Sequence, residues 1–249
     1  MTILGVAGAS GGVGTSTLSV ALGVVAARRG LASCAVDGDF AGGGLQVTAG
    51  VEHLPGHRWG HLNEVEGRVD GARLLERLPA AGDGCPVLSA GRMSHVLDAL
   101  VPERIPEPVV RDVLAGLDDA CDLVVVDWGR SAPAPGAVGL LVVALSARGL
   151  ADAEAWLGTH GSDNLAGIIA RAPKVDDRLA VATGERLGLP LLGVLEDDRS
   201  VRAAERRGTA PGSVRRGPLR RLAERLVTVA ATTEPSRHTA RAGRGRALR

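Results

Sequence analysis

GASGGVGTST, Gly8 to Thr17, is the stretch that decides how this chain folds. It joins an apolar run, Ile3 to Ala7, to a segment from Leu18 to Arg29 with a helical pattern. Strand, glycine loop and helix start, in that order, make an anion cradle. Glycines let successive N–H groups turn inward, and the helix N-terminus presents the positive end of its dipole to phosphate. Gly11, Gly12 and Gly14 supply the backbone freedom, with Ser10, Val13, Thr15, Ser16 and Thr17 completing the loop. Position 15, where lysine would reach the β and γ oxygens of a triphosphate, holds threonine. The cradle is kept and its cation is missing.

Outward from the loop, short β-branched apolar runs alternate with helical segments, which predicts a largely parallel sheet covered on both faces. Strands are expected at Ile3–Gly8, Ser33–Asp37, Pro86–Ser89, Leu123–Asp127, Gly139–Ala144, Leu165–Ala170 and Leu191–Leu195. Helices are expected at Ser16–Arg29, Val69–Leu78, Glu107–Ala120, Leu150–Thr159, Asp176–Leu187, Ser200–Arg207 and Pro218–Ala231. The fold class is therefore α/β, a doubly wound, mostly parallel sheet of about seven strands. Gly30 ends the first helix where a C-terminal glycine belongs. No Pro/Ser-rich linker divides the chain before residue 232, so one domain is expected over residues 1–231. From Thr232 to Arg249 periodicity gives way to Thr, Pro, Arg and Gly, the composition of a disordered tail. The preceding LRRLAERLVTVAA is amphipathic and reads either as a last helix docked on the sheet or as one lying on an anionic membrane surface.

Composition excludes several functions. At 249 residues with 45% hydrophobic and 23% charged residues, the chain can bury a sizeable core. Phe40 is the one phenylalanine and tyrosine is absent, which argues against an aromatic platform for single-stranded nucleic acid. The net charge of +1 hides an asymmetry. Residues 199–249 carry fourteen Arg and three Glu, leaving fifteen basic against twenty-five acidic residues in 1–198. The basic end suits an acidic partner, nucleic acid or anionic lipid. Cys34, Cys85 and Cys121 lack metal spacing and read as buried reduced thiols of a cytoplasmic protein. The longest apolar run, Val138 to Leu145, is too short to span a bilayer.

A phosphate site needs more than a loop. The second strand ends in VDGDF, which puts Asp37 and Asp39 at the carboxyl edge of the sheet, where open α/β sheets bind ligands. The strand ending in VVVDWGR brings Asp127 to the same edge. One carboxylate there holds magnesium through water, with the Ser16 hydroxyl as a ligand. Each piece also has a plainer reading: glycine turns occur without ligands, and strand-end aspartates serve as turn or cap residues. A dinucleotide site is disfavoured because the first turn lacks GxGxxG spacing.

These motifs give the chain a resemblance to the deviant phosphate-loop ATPases of the MinD/ParA superfamily. Their loop, K-G-G-x-G-K-[ST], stands here as Ser10-Gly11-Gly12-Val13-Gly14-Thr15-Ser16. Within that group the chain looks most like the CpaE/TadZ branch and the related actinobacterial septum-site-determining proteins. VDGDFAGGGLQVTAG, VLSAGR, DLVVVDWGR and LGLPLLGVLEDDRSVRAAERRGTAP each resemble a segment of those proteins, and the similarity covers residues 1 to about 230. The resemblance implies ATP or ADP bound with magnesium through Ser16, Asp37 and Asp127. It implies that Asp39 orients an attacking water, or is a relic of a residue that did, and that the protein forms a homodimer around the loop. CpaE-type proteins usually carry an N-terminal receiver-like domain; this chain begins at the first ATPase strand, so no signalling role of that module is expected.

The departures redirect the function. Ser10 stands where the signature lysine would reach a partner's phosphates, and Thr15 replaces the ordinary loop lysine. Ala170 stands where relatives often carry an adenine-contacting asparagine, and Glu196 replaces a proline. Loss of one preorganised charge stabiliser costs phosphoryl transfer on the order of 100-fold. The expectation is a pseudo-ATPase with hydrolysis very weak or absent, a spatial scaffold for Flp pilus, secretion or septum-placing machinery, cytoplasmic or associated with pole or membrane. Arg130 and Arg92 are the candidate replacement cations. Two alternatives stand beside it: an active MinD/ParA-type ATPase of division or partition, and a DNA- or anionic-membrane-binding protein acting through Arg215–Arg249.

Overall fold

The computed structural model describes residues 3–40, 44–63, 65–90, 105–174 and 176–233. Its strands are β1 (Ile3–Gly8), β2 (Ser33–Asp37), β3 (Ala80–Ala81), β4 (Cys85–Leu88), β5 (Leu123–Asp127), β6 (Val138–Ala144), β7 (Leu165–Ala172) and β8 (Leu191–Glu196). They form one sheet in the order β3-β4-β2-β5-β1-β6-β7-β8. Every pairing is parallel except β3 with β4. The eighth strand, absent from the sequence expectation, is β3: two residues paired antiparallel to β4, too short for any periodicity. Chain order reverses at β1, which lies between β5 and β6, and the crevice at its carboxyl end is where such sheets place ligands.

Alternation along the strands builds the layers. In β5, Leu123 and Val125 enter one core and Val124 and Val126 the other, so both faces of the sheet are covered. The helices are α1 (Thr15–Arg28), α2 (Leu45–Ala49), α3 (Gly71–Leu75), α4 (Glu107–Ala120), α5 (Ala147–His160), α6 (Asp177–Leu187), α7 (Arg199–Glu205) and α8 (Pro218–Thr233). Helix α1 is buried from Leu18 through Ala26 and lies between the sheet and its neighbours. It ends as expected: Gly30 takes φ 79°, and the amide of Leu31 donates back to the Ala26 carbonyl at 3.1 Å. On the same face Leu219, Leu222, Ala223, Leu226 and Val227 of α8 are buried beside Leu18 and Leu22 of α1. The docked reading of the last helix therefore holds, and its apolar stripe is used inside the protein. The helix runs through Thr233, two residues past the expected end; the tail beyond it, Arg92 and the rest of 91–104 lie outside the described residues.

Other expectations shift modestly. The helix expected at Val69–Leu78 is the shorter α3, begun by Asp70, whose carboxylate accepts from the Arg73 amide at 3.1 Å. Cys34 and Cys85 are free and buried, whereas Cys121 is partly exposed. Burial pushes the Cys85 and Cys121 thiols up to about 12, which removes them from nucleophilic chemistry. Among the described residues no helix is long and apolar enough to cross a membrane.

Candidate functional site

The loop after β1 is held at its base by two bonds. The Gly8 amide donates to the Gly129 carbonyl at 2.7 Å, and the Ala9 amide to the Val142 carbonyl at 3.0 Å. From there the chain rises through Ser10 to Gly11 and Gly12, which are exposed, while Val13 turns down into the core at 4% exposure. Gly12 at φ 74° and Gly14 at φ 96° occupy the left-handed region, which other residues enter only at a cost. Gly14 starts α1, and the Leu18 amide closes the first helical bond onto its carbonyl at 2.9 Å. No side chain caps this terminus. Among the described residues no group accepts from the amides of Gly14, Thr15, Ser16 or Thr17. A Cβ built on Gly11 or Gly12 would meet nothing within 4 Å, so the mouth of the loop is open. These are the terms on which a phosphate fits: unpaired amides, an uncapped helix start and free space in front of them.

The expected carboxylates converge on the same edge. Asp37 and Asp127 are register partners across β2 and β5, each 2% exposed. The hydroxyls of Ser16 and Thr15 face Asp127 and favour its charged form, against burial, which raises its pKa. Its Oδ1 accepts from the Gly129 amide at 3.1 Å. The Ser16 hydroxyl thus stands beside the Asp127 carboxylate at the foot of the loop.

Asp37 is also tied to the backbone. Its Oδ2 accepts from the Leu45 amide at 2.8 Å and its Oδ1 from the Asp39 amide at 3.1 Å, so the carboxylate holds the end of β2 and the first residue of α2. Burial raises its pKa to about 6, offset in part by the Leu45 amide. The Trp59 indole donates to the Asp37 carbonyl at 2.7 Å and closes this corner from below. Asp39 is partly exposed, its carboxylate lies against Gly129, and its charge raises the Asp127 pKa. Arg130 is exposed just past Gly129.

The segment after β8, with Glu196, was singled out in the sequence by its resemblance to a nucleotide-edge loop, but Arg171 and Arg202 were not. Beside the loop lies a cleft of about 200 Å³ whose walls include Gly12, Gly14 and Thr17 on one side and Glu196, Asp197 and Arg202 on the other. Arg171, at the end of β7, donates to the Ala172 and Leu195 carbonyls at 3.0 and 3.1 Å and pairs with Asp197. Arg171 holds the Asp197 carboxyl below its ordinary value. The signal was distance in the chain: Arg171 and Arg202 lie more than 150 residues from the loop, and only the closing strands β7 and β8 bring them to it.

The sheet order and its helices give this chain the fold of the MinD and ParA ATPases. A ParA family ATPase from Chlorobium tepidum superposes with a TM-score of 0.71 over 92% of this chain and 98% of its own, at 18% identity. The septum site-determining protein MinD from Pyrococcus horikoshii, solved with Mg-ADP, gives 0.63 over 94% and 99%, also at 18% identity. In sequence, an uncharacterised protein of Mycobacterium tuberculosis is 31% identical over 194 residues, 76% of this chain and 53% of its own length. The chain thus spans about half the length of this relative. No family model matches the chain.

Proposed function

We propose that this protein is a MinD/ParA-like nucleotide-binding scaffold that takes up a magnesium-bound adenine nucleotide at Gly8–Thr17 and hydrolyses it very slowly or not at all. The observation that carries the reading is the state of the loop: open glycines and unpaired amides at the start of α1, with Ser10 and Thr15 where two lysines would be. Amides and helix dipole hold phosphate in the ground state as well as in the transition state, whereas a lysine adds stabilisation as charge shifts to the leaving oxygen. Retaining the first and losing the second favours binding over turnover.

In this reading the Ser16 hydroxyl and, through water, the Asp37 and Asp127 carboxylates would hold the magnesium, which would supply charge to screen the phosphates. Asp39 is the vestigial water-orienting carboxylate. The protein acts as a dimer that marks a position for Flp pilus, secretion or septum-placing machinery, a role supported by the resemblance of its four motif segments to the CpaE/TadZ branch and the septum-site-determining proteins. It is one domain, residues 1–231, with an arginine-rich tail. The test is a titration of ATP with and without magnesium, read by calorimetry, together with phosphate release. Micromolar, magnesium-dependent binding without release is expected. Turnover abolished by Asp39→Ala would instead make it a working ATPase, and absence of binding would refute the nucleotide reading.

A second reading is favoured by one observation. Arg199, Arg202, Arg206 and Arg207 of α7 and its C-terminal turn line a surface concavity of about 410 Å³. Among the described residues only Arg202 of these has a carboxylate within 4 Å. Such a concentration of guanidinium groups, three of them without a carboxylate within 4 Å among the described residues, fits DNA or an anionic membrane, with Arg215 and Arg216 nearby in sequence extending the basic run.

A further inference from the structure

Resting on the nucleotide reading above, we infer that Arg202 replaces the missing loop lysines, reaching across the cleft from α7 to hold the phosphate chain of the bound nucleotide. Two arginines share the cleft with Gly12, Gly14 and Thr17, and they differ in freedom. Arg171 is spent: its guanidinium is bound to two carbonyls and to Asp197. Arg202 is 73% exposed and stands 3.8 Å from Asp197, a carboxylate that Arg171 already neutralises. An exposed pair at that distance is worth little, so a phosphate competes for Arg202 at small cost.

The helix that carries Arg202 is fixed. The Asp198 carboxylate accepts from the Ser200 amide at 2.8 Å and from the Leu219 amide at 3.3 Å, which pins the start of α7 to the start of α8. Asp198, Val201, Arg202 and Glu205 recur at helical spacing and all line the cleft, so this is the face of α7 that looks at the loop. A guanidinium presents a planar fork that matches two phosphate oxygens, and from a fixed helix it reaches them with a smaller entropy cost than from a loop. Glu205 lies one turn along on the same face and opposes any anion there. The two residues therefore make opposite predictions, which a purely structural role for Arg202 would not.

The experiment titrates Mg-ADP and inorganic pyrophosphate into the full chain by calorimetry, with thermal unfolding as a check on folding. Arg202→Ala should weaken both ligands about 10-fold or more, because removing a charge-assisted hydrogen bond has an effect of that size. Arg202→Lys should recover part of the loss and Glu205→Gln should tighten binding. Arg186→Ala, an exposed arginine on α6 that lines neither the cleft nor the α7 concavity, should leave both affinities unchanged. Equal losses in Arg202→Ala and Arg186→Ala would reduce the effect to general surface charge and overturn the assignment. So would a loss seen with Mg-ADP but not with pyrophosphate, or no loss at all in a protein that binds. If the unmodified protein binds neither probe, the nucleotide reading falls and this inference with it.

Discussion

Gly11 and Gly14 stand three residues apart in one loop, yet the backbone assigns them different work. Gly14 is left-handed at φ 96°, and a Cβ there would press on Leu195 at 3.2 Å; Gly11 has neither constraint. Gly14→Ala should therefore lower stability by about 1–2 kcal/mol, the ordinary cost of forcing a side chain into the left-handed region. Gly11→Ala should leave the melting temperature unchanged while its methyl group obstructs the open mouth and weakens pyrophosphate binding. Thermal unfolding paired with a pyrophosphate titration separates the two. Thr15→Lys should tighten triphosphate binding about 10-fold if the loop amides still point at the ligand; unchanged affinity would count against an open anion site. Asp37 makes a prediction in pH. Its folded pKa of about 6 lies above the unfolded value, so between roughly pH 4 and 6 the folded state binds more protons than the unfolded one. Its contribution is present below that window and disappears as pH rises through it, and Asp37→Asn should flatten this part of the stability–pH curve measured by urea unfolding.

At the scale of elements, the long strands and helices were legible because each carries its own periodicity. The strands β1, β2 and β5 fall where the apolar runs predict them to the residue, and α4 does as well. What escaped was whatever owes its existence to a distant partner. The strand β3 is two residues held by β4, and α2 is five residues positioned by the Asp37 carboxylate eight residues earlier at its Leu45 amide. The close crossing of α3 and α4 belongs here too. A Cβ on Gly116 would strike the Val69 carbonyl, and one on Gly71 the Gly116 carbonyl, so the two helices touch through bare backbone. Gly116→Ala must push α3 away from α4, uncovering Leu74, Val113 and Leu117 in the adjacent core. A loss of about 1–3 kcal/mol is expected from overpacking, even though alanine is the better helix former. Chemical denaturation with this variant, set beside Gly158→Ala, where a Cβ would meet nothing within 4 Å, checks that packing and not propensity decides.

The charge of the whole molecule was legible from the sequence, but its placement was not: the acidic 198 residues and the arginine-rich remainder meet at α7, the element that also walls the cleft. A polyanion on Arg199, Arg206 and Arg207 would therefore sit beside the nucleotide and not on a remote tail. Each phosphate that an arginine no longer neutralises should reduce the slope of log affinity against log salt by about 0.9 for duplex DNA. The triple variant Arg199→Gln, Arg206→Gln, Arg207→Gln, which spares Arg202, should thus flatten the salt dependence by about 2–3 relative to the unmodified chain, measured by fluorescence anisotropy on a duplex of unbiased sequence. A chain ending at residue 233 keeps the α7 arginines and removes the five that follow, so it distinguishes docking on the fold from docking on the tail. If truncation alone removes all binding while the triple variant binds normally, α7 is not where the polyanion docks. If the triple variant flattens the slope and truncation does not, the polyanion lies against the same helix from which Arg202 reaches the loop, and nucleotide and polyanion must then alter each other's affinity by the same factor.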